Sequence, residues 1–189
     1  MSLNKYNQKR DFDSTGEPKG EIGKSSGQLI FVVQKHAASH LHYDFRLEME
    51  GVLKSWAVPK GPSMNPKNKR LAIMVEDHPY AYKDFEGIIP EGNYGAGKVI
   101  VWDNGTYSIA EEGPDAEVES KLKSGLQKGH LDFILEGKKL KGEFALVKLK
   151  GNQENAWLLI KKKDPYAESA DVLLKKRSVI SNLTLEALQ

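Results

Sequence analysis

The chain has 189 residues, 39% apolar and 29% charged, enough for one packed domain of ordinary globular composition. It contains no cysteine, which excludes disulfide frameworks, thiolate zinc sites and cysteine nucleophiles. Its 28 basic and 26 acidic residues leave a net charge of +2, far from the excess typical of proteins that coat nucleic acid unselectively.

Residues 1–27 are polar and rich in Gly, Ser and Lys, and read as an extended N-terminal arm. They hold no apolar stretch that could form a signal-peptide core. No run of about 18 apolar residues occurs anywhere, so no membrane span is expected. A cytoplasmic location is the expectation that follows.

From Gln28 short β-type runs alternate with turn residues. LIFVVQK (29–35) is β-branched and aromatic, and HLHYDFRLEM (40–49) alternates strictly. LKSWAV (53–58) and LAIMVEDH (71–78) each end at a proline, whose missing N–H stops a central strand. KVIVWD (98–103) and TYSIA (106–110) flank Asn104-Gly105, which predicts a two-residue hairpin turn. In 115–129, Val118, Leu122 and Leu126 recur at helical spacing, with Asp115 as candidate N-cap and Gly129 just past the end. LDFILEG (131–137), EFALVKL (143–149) and AWLLIKK (156–162) complete about eight strands. Their even spacing suits an antiparallel barrel or sandwich. A short C-terminal helix is expected from about Thr184, with Glu186 in its first turn. The organisation expected is an arm over 1–27, a β domain over 28–164 and a tail with a short helix over 165–189.

One strand carries chemistry. In HLHYDFRLE, residues two apart share a face, so Leu41, Tyr43, Phe45 and Leu47 form a core face. The other face shows His40, His42, Asp44, Arg46 and Glu48, unlike an ordinary solvated face. His42 and Asp44 can lean onto one cation, and a short connection can bring His36 from the preceding strand to the same point. Two neutral imidazoles and a carboxylate suit Mn²⁺, Fe²⁺ or Zn²⁺ with open positions. Arg46 adds a planar fork for a phosphate. In the next strand, Leu71, Ile73 and Val75 are expected on one face, with Glu76 and His78 on the other.

Three signals carry less. GNYGAGKV (92–99) nearly spells a phosphate-binding loop, but Val99 replaces the required Ser/Thr and strands follow where a helix is needed. His42-x-Asp44 also fits an iron oxygenase triad, yet the only candidate for its distal ligand is His130, with no arginine after it until Arg177. Lys67 and Lys69 read as an exposed basic loop.

The segments FVVQKHAASHLHYDFRLEMEGVLKSWAVPKGPS and RLAIMVEDHPYAYKDFEGIIPEGNYGAGKVIVWDNGTY resemble the 3′-phosphoesterase domain of bacterial DNA ligase D, in its stand-alone form. The resemblance runs from about Arg10 to Asp164 and is looser beyond. It implies a compact all-β antiparallel barrel of about eight strands with one or two short helices. It also implies removal of a 3′-terminal ribonucleoside and of a 3′-phosphate from DNA, leaving a 3′-OH, in end joining of double-strand breaks. By motif, His36, His42 and Asp44 match the family's Mn²⁺ ligands, with Co²⁺ or Zn²⁺ as substitutes. Arg46, Lys60, Arg70 and His78 match phosphate-contacting or transition-state residues, and Tyr82 a further active-site position. Glu76 is grouped with the catalytic residues, while Arg10, Asp11, Glu17 and His40 match supporting ones. The partners implied are DNA 3′ ends together with separate ligase, polymerase and Ku proteins. The rivals are a DNA-end-binding module without catalysis and, behind it, the iron oxygenase.

Overall fold

The structure, a computed structural model, describes residues 3–23, 27–111 and 113–189. Residues 1, 2 and 24–26 of the expected arm lie outside the described residues.

Among the described residues, nine strands form one antiparallel sheet. They are β1 (Ile30–Ala37), β2 (Leu41–Met49), β3 (Val52–Val58), β4 (Lys69–Pro79), β5 (Gly87–Ile89), β6 (Gly97–Ser108), β7 (His130–Gly137), β8 (Lys141–Lys148) and β9 (Ala156–Lys161). Pairing runs β1-β2-β3-β4-β9-β8-β7-β6, and a β1–β6 ladder closes the ring of eight. The short β5 adds to the other edge of β6. Helix α1 (Asn4–Gln8) lies in the arm, and α2 (Asp115–Lys128) links β6 to β7. The expected eight-stranded barrel is the fold. No helix among the described residues is long and apolar enough to cross a membrane.

Alternation along the strands produces two apolar layers. Phe31, Phe45, Trp56, Trp102, Phe133 and Phe144 fill the barrel. On the outer face of β1, β3 and β6, Val32, Leu53 and Val101 pack beneath Leu3 and Tyr6 of the arm and Tyr82 of the 3₁₀ turn Tyr80–Asp84. The arm is therefore anchored by burial, and Tyr6 Oη donates to the Pro18 carbonyl at 2.7 Å. Anything on the outer face of β1 and β2 ends up between barrel and arm.

Four expectations are corrected. Asn104-Gly105 is no hairpin turn: β6 runs straight through it, and neither residue has the positive φ that a type I′ turn requires. Gly105 is needed for a different reason, since a Cβ there would strike the Glu136 carbonyl oxygen as β6 crosses from β1 to β7. The real hairpin turn at 138–140 is tied by buried Asp103, whose carboxylate accepts from the backbone N–H groups of Lys138, Lys139 and Leu140. The C-terminal helix is absent: Leu185–Ala187 make only a turn, and Leu185 and Leu188 pack on Ile100. Asp115 is the first helical residue of α2, behind Pro114, while Gly129 takes the left-handed C-cap expected of it (φ 80°).

The fourth correction matters for the site. Ser55 pairs with Val75, but Leu53 pairs with His78, so β4 holds one residue more than β3 between those pairs. This β-bulge re-aims the strand. Val75, Glu76 and His78 all reach one pocket instead of dividing between two faces.

Candidate active site

The β1–β2 register places His36 directly opposite His42 and Gln34 opposite Asp44, with Arg46 two residues further along the same face. The pocket above them, about 270 Å³, lies outside the barrel and is roofed by Arg10 and Glu17 of the arm, with Tyr82 and Tyr94 at its walls.

One nitrogen or oxygen each of His36, His42 and Asp44 lies within 4.8 Å of the others. His36 Nε2 is 2.7 Å from the Gly95 carbonyl, and His42 Nδ1 is 3.0 Å from the His40 carbonyl. A carbonyl only accepts, so both of those nitrogens carry the hydrogen. The free lone pairs, on His36 Nδ1 and His42 Nε2, are then aimed at the Asp44 carboxylate at 3.5 and 3.4 Å. Imidazoles oriented by a second hydrogen bond, with a carboxylate between them, are a donor set that fits a divalent cation. Burial pushes the His42 pKa down, but the hydrogen bond and charge of Asp44 outweigh it, and the net shift is upward. Burial likewise works against charged Asp44, yet the Arg46 charge and the two histidines hold its pKa well below the usual range. The site has an electrostatic demand for positive charge between these groups.

Arg46 is held on three sides. Its Nε donates to Gln34 Oε1 at 2.7 Å and Nη1 to Ser55 Oγ at 2.9 Å, and Nη2 lies 3.4 Å from Asp44 Oδ2. Gln34 is fixed in turn by donating to the Tyr82 and Phe85 carbonyls. The guanidinium is buried, and its centre lies 5.0 Å from the Tyr82 ring.

Arg10 supplies a second guanidinium. It donates to Glu17 at 3.0 Å and to Glu76 at 3.4 Å, and stacks 3.8 Å over the Tyr6 ring. Its Nη2 lies 3.2 Å from His78 Nε2, so His78 accepts there, while Nδ1 donates to the Glu76 carbonyl at 3.0 Å. Burial and the charges of Arg46 and Arg10 hold the His78 pKa well below normal, so the ring is neutral. Tyr82 Oη donates to Glu17 at 2.8 Å; burial and the Glu17 charge push its pKa far up, and it stays a phenol.

The structure thus gathers His36, His42, Asp44, Arg46, Glu76, His78, Tyr82, Arg10 and Glu17 around one pocket. It does not bring the others in. Lys60 is exposed in the turn after β3, and Arg70 is half-buried on β4; neither lines the pocket. Exposed Asp11 accepts from the Asp13 N–H, and His40 contributes its carbonyl rather than its exposed ring. Sequence reading overlooked Gln34 and Ser55, although Gln34 lies in phase with His36 on β1. It also discounted the glycine-rich connector that supplies the Gly95 carbonyl and Tyr94.

The sequence profile of the DNA ligase D 3′-phosphoesterase domain matches residues 34–148. Relatives include the multifunctional non-homologous end joining protein LigD of Pseudomonas aeruginosa, 51% identical over 97% of this chain and 22% of the relative. The LigD proteins of Mycobacterium tuberculosis (strain H37Rv) and Mycolicibacterium smegmatis are 43% and 40% identical over 86% of this chain, and 20% and 21% of their own lengths. The chain therefore spans about a fifth of the length of the curated relatives it matches.

Proposed function

Because the chain belongs to the DNA ligase D 3′-phosphoesterase domain family, we propose that it hydrolyses phosphate esters at DNA 3′ ends during end-joining repair. The substrates proposed are a 3′-phosphate and a 3′-terminal ribonucleotide, each processed to leave a 3′-OH. Support comes from the convergence of His36, His42 and Asp44 beside the buried, fixed guanidinium of Arg46.

His36 Nδ1, His42 Nε2 and the Asp44 carboxylate would hold a divalent cation, with Mn²⁺ proposed. Such an ion supplies Lewis-acid chemistry and lowers the pKa of bound water. The chain's own groups do the rest. Arg46, already oriented by Gln34 and Ser55, meets an anionic ester with no reorganisation and favours charge growing on its oxygens. Arg10 adds a second positive charge at the roof. Neutral His78, whose Nε2 accepts from Arg10, is suited to orienting that guanidinium toward the ester. Lys60 and Arg70, outside the pocket, are proposed to act on more distant phosphates.

The test is incubation with primer–templates ending in a 3′-phosphate or a 3′-ribonucleotide, with Mn²⁺ and with chelator. The expected result is a 3′-OH product in Mn²⁺ and none in chelator. Binding without turnover would favour an end-binding module, and oxygen consumption without phosphate release an oxygenase. Ligase, polymerase and Ku proteins are proposed as partners of the processed end.

A further inference from the structure

Beside the catalytic pocket, and sharing Val75, Glu76 and Tyr94 with it, runs a groove of about 590 Å³, roughly twice the pocket's 270 Å³. Trp157 lines it, Lys5 and Lys9 border it from the arm, and Lys148 from the end of β8. Lys5 on α1 and Lys9 at its C-cap are four residues apart in helical backbone, so they face the same way. Glu76, one acid of the groove, is already matched by Lys9 at 3.3 Å and Arg10 at 3.4 Å; Glu154 is the other. At the junction of pocket and groove stands Tyr94, 47% exposed, with Lys9 Nζ 4.6 Å from its ring centre. An exposed aromatic ring between a phosphate-sized pocket and a lysine-edged groove is the arrangement that binds single-stranded nucleic acid by stacking and backbone attraction.

We propose that this groove carries the DNA strand whose 3′ end lies in the pocket, its phosphates toward Lys5, Lys9 and Lys148 and a base near its end stacked on Tyr94. This deepens the phosphoesterase reading and rests on it. A net charge of +2 gives little unselective attraction, so binding must come from local placement of charge. The pocket admits a terminal phosphate group, and a strand attached to it must leave along an open, positively edged path. The groove is such a path, and Val75, Glu76 and Tyr94 line both it and the pocket.

The test measures fluorescence anisotropy of 3′-phosphorylated single strands of increasing length, from about 50 to 200 mM salt. It compares the wild type, Lys5→Ala/Lys148→Ala and Tyr94→Ala. Both lysines are exposed and outside the catalytic pocket, so the double variant should keep its fold and its affinity for a mononucleotide 3′-phosphate. On longer strands it should bind about tenfold more weakly. Its slope of log affinity against log salt should flatten by about 1.4, two contacts at roughly 0.7 each. Tyr94→Ala should weaken binding about tenfold with the slope kept. Unchanged affinity and slope in the double variant overturns the proposal, as does an acidic peptide that competes as well as DNA of equal charge. Phosphate release from the same samples separates the two readings. Release with groove-independent binding overturns the groove alone, and groove-dependent binding without release overturns the hydrolytic reading alone.

Discussion

His36 and His42 face each other as a direct pair across the β1–β2 ladder, ring centres 4.7 Å apart, each donating one ring N–H to a backbone carbonyl. Their remaining nitrogens point at Asp44, so two carbonyls and one strand register preset the lone pairs that a cation needs.

Asp44→Asn should therefore keep the shape of the site and lose its central charge. Mn²⁺ affinity should fall by about 100-fold or more, and phosphate release with it. Calorimetric Mn²⁺ titration checks the first effect and a 3′-phosphate primer assay the second; wild-type values in either would contradict the assignment.

Metal binding should also depend on pH. His42 must be deprotonated to bind an ion, and Asp44 raises its pKa, so bound metal displaces a proton. Below that raised pKa, Mn²⁺ affinity should drop about tenfold per pH unit, and above it should level off. Titrations in buffers of different ionisation enthalpy would report the released proton.

His78 acts in the other direction on stability. Its folded pKa is depressed, so between that value and the unfolded value of about 6.5 the unfolded chain binds the extra proton. Its contribution is complete above about pH 6.5 and is lost as pH falls toward the folded pKa, at up to ~1.4 kcal/mol per pH unit. The metal-free His78→Gln variant should show a flatter loss of stability than wild type below pH 6.5 in urea unfolding. An identical acid limb would contradict the geometry around Arg10.

Gln34→Ala should impair both chemistry and folding. It leaves Arg46 Nε and the Phe85 carbonyl without their partner and takes one of two donors from the Tyr82 carbonyl, a loss of about 2–4 kcal/mol in denaturant unfolding. Arg46 is then held by Ser55 and Asp44 alone, and kcat should fall ~10–100-fold. Ser55→Ala removes two hydrogen bonds, the one accepted from Arg46 and the one donated to the Leu53 carbonyl, against three for Gln34, and should be milder in both assays.

Gly105→Val tests the continuity of β6. The side chain would collide with the Glu136 carbonyl at the β6–β7 seam and should cost about 2–3 kcal/mol with the site intact. Were Asn104-Gly105 a hairpin turn instead, the same change would be felt through backbone strain, and the seam would not register it by hydrogen exchange.

What the chain reveals before folding follows from the range of each signal. The period-2 alternation of β2 places His42, Asp44 and Arg46 on one face, because strand geometry converts spacing directly into direction. Features that depend on a neighbouring strand are not legible in this way. The bulge that turns His78 toward Val75 is defined only by the pairing of β4 with β3. The role of Gly105 depends on a carbonyl more than thirty residues away, which a dipeptide signal cannot sense. Three-residue β5 and five-residue α1 are too short to show periodicity. Arg10 and Glu17 were legible only through resemblance, since a polar arm has no pattern of its own; the burial of Tyr6 and Leu3 brings them to the pocket.

The most direct test is anomalous diffraction at the manganese edge from crystals grown with Mn²⁺, set beside the same measurement on Asp44→Ala. One peak bonded by His36 Nδ1, His42 Nε2 and the Asp44 carboxylate, absent from the variant, is the predicted result. A peak elsewhere, or none in crystals of a protein that still releases 3′-phosphate, would contradict it.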